Sequence, residues 1–175
     1  MQGFVYQSAP SRVVFGAGVL AQLPDEVVRL GARRALVLTT PEQRGLGERV
    51  ASLFGERAVG VYAQAVMHVP TEVARAAREE ATRLGADCYV AVGGGSTIGL
   101  GKAIALESPQ PIIAVPTTYA GSEVTPIYGL TEGRLKKTGR DTRVLPRTVL
   151  YDPELTLTLP ADISAASGMN AMAHA

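Results

Sequence analysis

Residues 89–103 read YVAVGGGSTIGLGKA and decide the fold. An apolar strand runs directly into three glycines, a Ser-Thr pair and the start of a helix. That order presents backbone N–H groups and the positive end of a helix to a phosphate, and glycines let the backbone approach an anionic ligand closely. Ser96 is expected to cap the helix and to offer its hydroxyl to a phosphate oxygen. The stretch predicts a phosphate or dinucleotide site, with an ordinary strand-to-helix turn as the alternative.

Two better-known phosphate motifs fit less well. The stretch is not a P-loop, because Ser96 and Ala103 stand where that motif needs Gly and Ser or Thr. A Rossmann-like match, GAGVLA, occurs at residues 16–21. A ribose-binding acid is expected about 20 residues later, but the next strand ends in Thr39 and Thr40 with nothing acidic capping it. We therefore interpret residues 16–21 as a turn.

Composition excludes several classes of protein. The formal net charge of +1 gives no reason to expect a nucleic-acid partner or an anionic membrane. The single cysteine, Cys88, lies in an apolar strand and excludes an internal disulfide framework. The sequence has neither a charged-then-apolar leader nor an apolar run long enough to span a bilayer, so we expect a cytoplasmic protein.

Apolar strands alternate with helices along most of the chain. Strands are predicted at 4–6, 12–15, 35–39, 59–62, 89–93 and 112–115, and helices at 19–30, 41–54 and 71–84. Thr71 is expected to cap the last of these helices and Gly85 to close it. A hairpin-like stretch is expected over 124–151. The alternation predicts an α/β fold, an open parallel Rossmann-like sheet with helices on both faces.

The alternation of strands and helices stops at residues 116–123, which read PTTYAGSE. This hydroxyl-rich loop follows the carboxyl end of a strand, where open α/β sheets bind ligands. The hairpin-like stretch after it carries a cluster of basic side chains: Arg134, Lys136, Lys137, Arg140, Arg143 and Arg147. A solvated surface is the ordinary interpretation of such a cluster, and contact of one or two of them with a cofactor phosphate is the alternative.

A further helix is expected to begin near Ala161 and shows no stop signal before Ala175. We therefore expect the sequence to be the front part of a longer protein. Asn170 and His174 are four residues apart and share one face of this helix. Taken alone, such a pair is more often structural than functional.

Five segments in order resemble the iron-containing alcohol dehydrogenase family. They are residues 15–18, residues 93–96 with 102–103, residues 116–118 with 121–123, residues 152–155, and residues 167–174. The resemblance implies a dinucleotide-binding α/β domain over residues 1–158 and an all-helical C-terminal domain whose first helix lies in 159–175. It also implies an active site in the cleft between the domains and a homodimer.

The sequence departs from the metal-dependent members of that family. Those members carry Asp-x-x-x-His in the last segment, whereas this chain has Asn170 before His174, and an amide is a poor ligand for a divalent cation. The usual acid of the glycine-rich helix is replaced by Gly99, and the hydroxyl-rich loop is one residue shorter and carries Tyr119. These features resemble a metal-free branch that reduces the dicarboxylate maleylacetate to 3-oxoadipate with NADH or NADPH.

The resemblance also implies roles for particular residues. Those expected at the cofactor are Gly94, Gly95, Ser96 and Thr97 on the pyrophosphate, Thr117, Thr118 and Tyr119 near ribose and nicotinamide, and the hairpin lysine Lys136. His174 is expected to contact the substrate or relay a proton, and Asn170 to orient the substrate. Thr40 stands where many relatives have Asp, so NADPH is expected to be tolerated beside NADH.

Three alternatives stay open. The first is a metal-dependent alcohol or glycerol dehydrogenase of the same fold, against which Asn170 argues. The second is a lyase similar to dehydroquinate synthase, which also relies on a metal. The third belongs to a different class: a nucleotide-binding module that turns nothing over without its C-terminal half.

Overall fold

The computed structural model describes residues 11–133 and 135–174, and only the backbone of residues 173 and 174. The strands are β1 (Arg12–Phe15), β2 (Ala35–Leu38), β3 (Ala58–Tyr62), β4 (Cys88–Gly93), β5 (Ile112–Pro116), β6 (Ile127–Glu132), β7 (Leu135–Arg140) and β8 (Thr148–Tyr151). The helices are α1 (Leu23–Arg29), α2 (Arg44–Phe54), α3 (Thr71–Arg83), α4 (Gly95–Ala105) and α5 (Ala161–His174). The strand predicted at 4–6 lies outside the described residues.

Six strands form one parallel sheet, which confirms the predicted fold class. Their order is β1-β8-β5-β4-β2-β3, and every neighbouring pair is parallel. After β2 the chain moves to one edge of the sheet, and after β4 it moves the other way. The crevice between the carboxyl ends of β2 and β4 is therefore the topological switch point, where sheets of this kind bind ligands.

The core lies on both faces of this sheet. Helices α3 and α4 cover one face, with Ala77 and Ile104 packed against the sheet. Helices α1 and α2 cover the other, with Val27 and Phe54 among the buried residues. Every residue of β4 is buried, as a strand covered on both faces requires. No helix among the described residues is both long and apolar enough to cross a membrane.

The hairpin-like stretch expected over 124–151 is wrong in its second half. Strands β6 and β7 form a separate antiparallel pair, but β8 enters the main sheet between β1 and β5. The reason is burial: Thr148, Val149 and Leu150 are all buried, and an apolar strand of this kind reaches the centre of a sheet covered on both faces.

Helix boundaries also differ from the prediction. Pro70 is the N-cap of α3, so Thr71 is its first residue and does not cap it. Gly85 does close α3: it has a φ of +60°, and the amide of Ala86 donates to the carbonyl of Ala81. The helix expected over 19–30 is a 3-10 turn at Val19–Gln22 followed by α1.

Candidate cofactor site and adjoining cavity

The glycine turn, residues 93–95, joins β4 to α4 at the switch point. Gly94 is the N-cap of α4 and no side chain caps the helix, so Ser96 is its second residue and the predicted cap is wrong. A glycine cap leaves the first amide N–H groups of the helix uncovered, because they have no acceptor within the helix. The turn therefore offers backbone donors at a positive helix end, as a pyrophosphate site requires.

Close packing requires two of the three glycines of this turn, Gly93 and Gly94. A Cβ on Gly93 would lie 2.5 Å from Oγ1 of Thr97, and a Cβ on Gly94 would lie 3.0 Å from Cγ2 of Thr118. Thr97 is fully buried, and its hydroxyl has no hydrogen-bond partner among the described residues. Gly95 is exposed, and Gly94 and Ser96 are partly exposed, so these three residues are accessible to a ligand.

Thr40 and Thr117 flank the glycine turn. Strands β2 and β4 pair Leu38 with Ala91, which places Thr40 level with Gly93 on the neighbouring strand. The side-chain amide of Gln43 donates to Oγ1 of Thr117 at 3.1 Å and so ties the two loops together. The structure therefore brings the sequence-predicted cofactor residues of three different loops to one crevice.

A carboxylate also lies at the end of β2, two residues beyond the position that sequence reasoning considered. Glu42 is exposed in the turn after Thr40. Its own backbone amide and then the Thr40 hydroxyl lower its pKa by hydrogen bonding. An ionised Glu42 therefore stands at the switch point.

The Rossmann-like residues 16–21 lie away from the switch point, because they follow β1, an edge strand that β8 and β5 separate from β4. The buried carboxylate of Asp152 accepts the amides of Gly18 at 3.2 Å and Leu20 at 3.1 Å. A protein carboxylate thus occupies the donors that a phosphate would need. The interpretation of this segment as a turn is confirmed.

A cavity of about 740 Å³ adjoins the carboxyl ends of β5 and β8. The hydroxyl-rich loop and the hairpin line most of it, and Tyr151 and Ala171 complete the lining. Of the residues predicted at the cofactor, Thr118, Tyr119 and Lys136 lie on its wall. Because Thr118 also contacts the glycine turn, the cavity begins where the cofactor site ends.

Lys136 faces both regions. A second pocket, of about 340 Å³, lies between the glycine turn and the hairpin, and Ser96 and Lys136 both line it. Other members of the basic cluster are engaged at the surface: Lys137 pairs with Glu132, and Arg143 pairs with Asp141. Arg134 lies outside the described residues. Among the cluster members that the structure describes, Lys136 alone lines these two pockets, so it is the cation beside the candidate site.

Close packing against Val69 explains why residue 99 is a glycine. A Cβ at this position would lie 2.9 Å from Cγ2 of Val69, which has a φ of +44°. An acidic side chain at residue 99 would therefore displace Val69 from the first turns of α4.

Sequence reasoning missed three residues at the cavity. Glu123 is buried, and its Oε1 accepts the hydroxyl of Tyr151 at 2.7 Å, while Oε2 has no partner among the described residues. Burial, and then the hydrogen bond to Glu123, raise the pKa of Tyr151, so the phenol stays protonated. The third is Lys102, whose ammonium is fully buried behind the cavity wall. No spacing or local pattern in the sequence indicates these contacts, which join α4, the loop and β8.

Asn170 contacts the hydroxyl-rich loop. Its Nδ2 donates to the carbonyl oxygen of Ala120 at 2.9 Å, which links α5 to the cavity wall. The backbone of His174 ends α5, but its side chain lies outside the described part of the chain. No group of three His, Cys, Asp or Glu side chains suited to a metal occurs among the described residues.

Comparisons with known proteins identify relatives across the whole chain. A family model described as iron-containing alcohol dehydrogenase matches residues 10–153. The maleylacetate reductase of Burkholderia cepacia is 63% identical over 175 residues, which are 100% of this chain and 50% of that protein.

Solved structures give the same picture. The crystal structure of a maleylacetate reductase from Agrobacterium tumefaciens matches with a TM-score of 0.96 and 56% identity, over 99% of this chain and 50% of that one. A sulfoacetaldehyde reductase from Bifidobacterium kashiwanohense, solved in complex with NAD+, matches with a TM-score of 0.86 and 26% identity, over 96% of this chain and 51% of that one. The chain thus spans about half the length of these relatives.

Proposed function

The chain belongs to the iron-containing alcohol dehydrogenase family, and on that premise we propose that it carries the cofactor-binding part of an NAD(P)H-dependent maleylacetate reductase. The reaction is reduction of a carbon-carbon double bond to give 3-oxoadipate, in the degradation of aromatic compounds. The observation that carries the proposal is the contact between the glycine turn and the 740 Å³ cavity at Thr118. A cofactor on the turn and a substrate in the cavity would be neighbours.

The residues present fit a dinucleotide. The cradle at Gly93 and Gly94 is one that a Cβ would fill, and Gly95 and Ser96 begin a helix that no side chain caps. We assign the pyrophosphate to residues 94–97 and the ribose and nicotinamide to residues 117–119. Bound there, NADH or NADPH would supply the hydride. Lys136 would balance the negative charge that the cofactor and the substrate bring together.

The substrate chemistry accounts for a reaction without a metal. Maleylacetate is an enone with two carboxylates, so its double bond is already activated and reduction creates an enolate. Hydrogen-bond donors and cations can stabilise such an anion, the part that a metal plays as a Lewis acid for simple carbonyl substrates. Thr118 and Lys136 on the cavity wall offer a hydroxyl and an ammonium. The side-chain amide of Asn170 donates a hydrogen bond to a loop carbonyl, a role that needs no metal, and this contact supports the proposal.

Asn170 and His174 remain the proposed catalytic residues. Asn170 would orient the substrate through the loop that it contacts, and His174 would hydrogen-bond the substrate or relay a proton to it. Replacement of each by Ala tests these roles. Unchanged turnover in either variant would remove that residue from the mechanism.

The rest of the molecule follows the same proposal. Residues 1–158 would form the dinucleotide-binding domain, and α5 would open an all-helical domain. We propose a cytoplasmic homodimer acting on a small dicarboxylate, with neither a nucleic-acid nor a membrane partner. Size-exclusion chromatography with light scattering tests the dimer.

A chelator experiment tests the reaction and the metal together. Full-length protein is treated exhaustively with a chelator, and NADH oxidation is followed on addition of maleylacetate. Undiminished activity without metal supports the metal-free reductase. Activity that disappears and returns with iron or zinc favours the metal-dependent dehydrogenase of the same fold. Cofactor binding without turnover of any substrate favours a nucleotide-binding module.

A further inference from the structure

Lys102 ends in a cluster of oxygen atoms contributed by one short segment. The side chain belongs to α4 and is fully buried. Its ammonium donates to the carbonyl oxygens of Ser122 at 2.6 Å, Thr125 at 2.8 Å and Ile127 at 2.7 Å. The hydroxyls of Ser122 and Thr125 lie farther away, both at 3.2 Å. Three carbonyls match the three N–H donors of an ammonium group.

A buried cation is stable only when such partners surround it, because removing its charge from water is costly. Burial lowers the pKa of Lys102 to about 8, and the nearby charge of Glu123 opposes that shift. The amine is therefore still mainly protonated at neutral pH and keeps all three donors. The carbonyls in turn depend on Lys102, since a nonpolar side chain there would leave them facing an apolar helix.

The segment that Lys102 holds, residues 122–127, is named here the wall segment. It contains one short 3-10 turn and then leads into β6. Ser122, Glu123, Thr125 and Ile127 all line the 740 Å³ cavity, and the hairpin that follows carries Lys136. Fixing the wall segment therefore fixes the position of Glu123 and the root of the hairpin.

The glycine turn lies at the N-terminal end of the same helix. Lys102 lines the 340 Å³ pocket together with Gly95 and Ser96, but every hydrogen bond that its ammonium makes goes to the wall segment. Lys102 comes seven residues after Gly95, a distance of about 10 Å along a helix axis. We propose that Lys102 is a positioning residue: it fixes the wall segment, and with it the shape of the substrate cavity, but does not determine the conformation of the glycine turn. The substrate part of this statement rests on the proposed function. The structural part does not.

Hydrogen exchange on full-length protein tests the structural part. Lys102→Met leaves an unbranched side chain that is one atom shorter and has no donors. We expect at least tenfold faster amide exchange over residues 122–129, with β4 and α3 unchanged. The matched control is Lys137→Met, which removes an exposed, ion-paired lysine from the hairpin that follows the wall segment. Unchanged exchange in Lys102→Met, or equal acceleration in the control, would overturn the proposal.

Chemical rescue keeps the test decisive if that variant unfolds. Lys102→Ala removes three methylene groups and the ammonium, which together correspond to n-propylammonium. We expect this ion to restore exchange protection, and 1-propanol, its neutral counterpart, to have no effect. Equal restoration by both compounds would show that packing alone matters and would refute the role given to the charge.

Enzyme kinetics test the substrate part. In Lys102→Ala we expect the KM for maleylacetate to rise at least tenfold and the Kd for NADH to change less than threefold, with n-propylammonium reversing the first change. A parallel loss of both affinities would contradict selective positioning. If wild-type protein shows no activity with maleylacetate, the proposed function fails, and the exchange and rescue results still decide the role of Lys102.

Discussion

Gly94 lies where the glycine turn meets Thr118, and the absence of one methyl group keeps that junction open. We predict that Gly94→Ala weakens NADH binding at least tenfold, because its Cβ would lie 3.0 Å from Cγ2 of Thr118 and would cover the cofactor-facing backbone. Isothermal titration calorimetry measures the change.

The control for Gly94 is a glycine with free space around it. Nothing lies within 4 Å of a Cβ at Gly45 in α2. Gly45→Ala is expected to leave NADH affinity unchanged and to stabilise the fold by about 0.5–1 kcal/mol, the usual preference of a helix for Ala. Equal affinities in the two variants would contradict the placement of the cofactor.

Glu42 bears on the choice between NADH and NADPH. Sequence reasoning considered only Thr40 and predicted that a 2′-phosphate meets no carboxylate, but Glu42 supplies one in the same turn. We therefore predict a preference for NADH, and in Glu42→Gln a shift toward NADPH of roughly fivefold in the ratio of Kd values, as expected for one charge pair near a surface.

The matched control for Glu42 is Glu48→Gln, an exposed carboxylate on α2 that pairs with Arg44. Fluorescence titration with both cofactors gives the two ratios. A ratio that stays the same in Glu42→Gln, or that changes equally in Glu48→Gln, would mean that Glu42 does not face the ribose.

The candidate site was predictable only where backbone geometry determines it. Glycines between an apolar strand and a helix indicate a tight turn regardless of the surroundings, and residues 93–95 do form the turn between β4 and α4; the role of residues 94–96 in binding a phosphate stays a prediction. The partners of Lys102 and Glu123 were not predictable, because each lies on an element whose neighbours only the completed sheet order determines. The sequence of a helix does not show that one of its lysines is buried, because the burial depends on carbonyl groups that another segment supplies.

At the level of elements, the sequence predicted strands and helices better than strand pairing. Residues 35–38 and 112–116 are continuous apolar runs, which indicate buried parallel strands without further information. Strand β8 has the same character, but it follows a hairpin directly and was assigned to it. Local pattern cannot distinguish these cases, since the partners of β8 are β1 and β5, more than thirty residues away in sequence.

Glu26 attaches α1 to the edge of the sheet. Its carboxylate accepts Nε of Arg29 at 2.9 Å and Nε of Arg12 at 3.0 Å, and Thr148 donates to it at 3.2 Å. Burial acts to raise the pKa of Glu26, but the hydrogen bonds from Arg29 and Arg12 outweigh it and hold the pKa below its usual value. The folded state therefore favours the ionised form.

A lowered folded-state pKa gives stability that is complete above the unfolded pKa of 4.5 and is lost as the pH falls through the folded value. We predict that Glu26→Gln lowers the free energy of unfolding by about 1–3 kcal/mol at pH 7, with the difference from wild type shrinking below pH 4.5. Urea denaturation at several pH values measures it. The control is Asp25→Asn, an exposed neighbour, and a pH-independent difference for Glu26→Gln would contradict this account.

At the scale of the whole molecule, the glycine turn and the cavity differ in how much of their surroundings residues 11–174 supply. Every element that shapes the glycine turn lies within residues 35–118. The cavity, in contrast, receives only Ala171 from α5, and Met169 and Met172 on that helix are 65% and 73% exposed. In proteins of about twice this length, further residues are available to complete the cavity.

This difference predicts separate requirements for binding and for turnover. We expect residues 1–175, produced alone, to bind NADH with a Kd within about tenfold of the full-length value, because the donors of the turn need no other part of the protein. We expect the same fragment to oxidise no NADH on addition of maleylacetate, since α5 and the cavity wall would enclose the substrate on one side only. Fluorescence titration and absorbance at the NADH band measure the two properties on one sample.

Gly94→Ala in the fragment is the control for specific binding. Turnover by the fragment would place the whole catalytic apparatus before residue 175, whereas absent NADH binding would mean that residues beyond it complete the cofactor site.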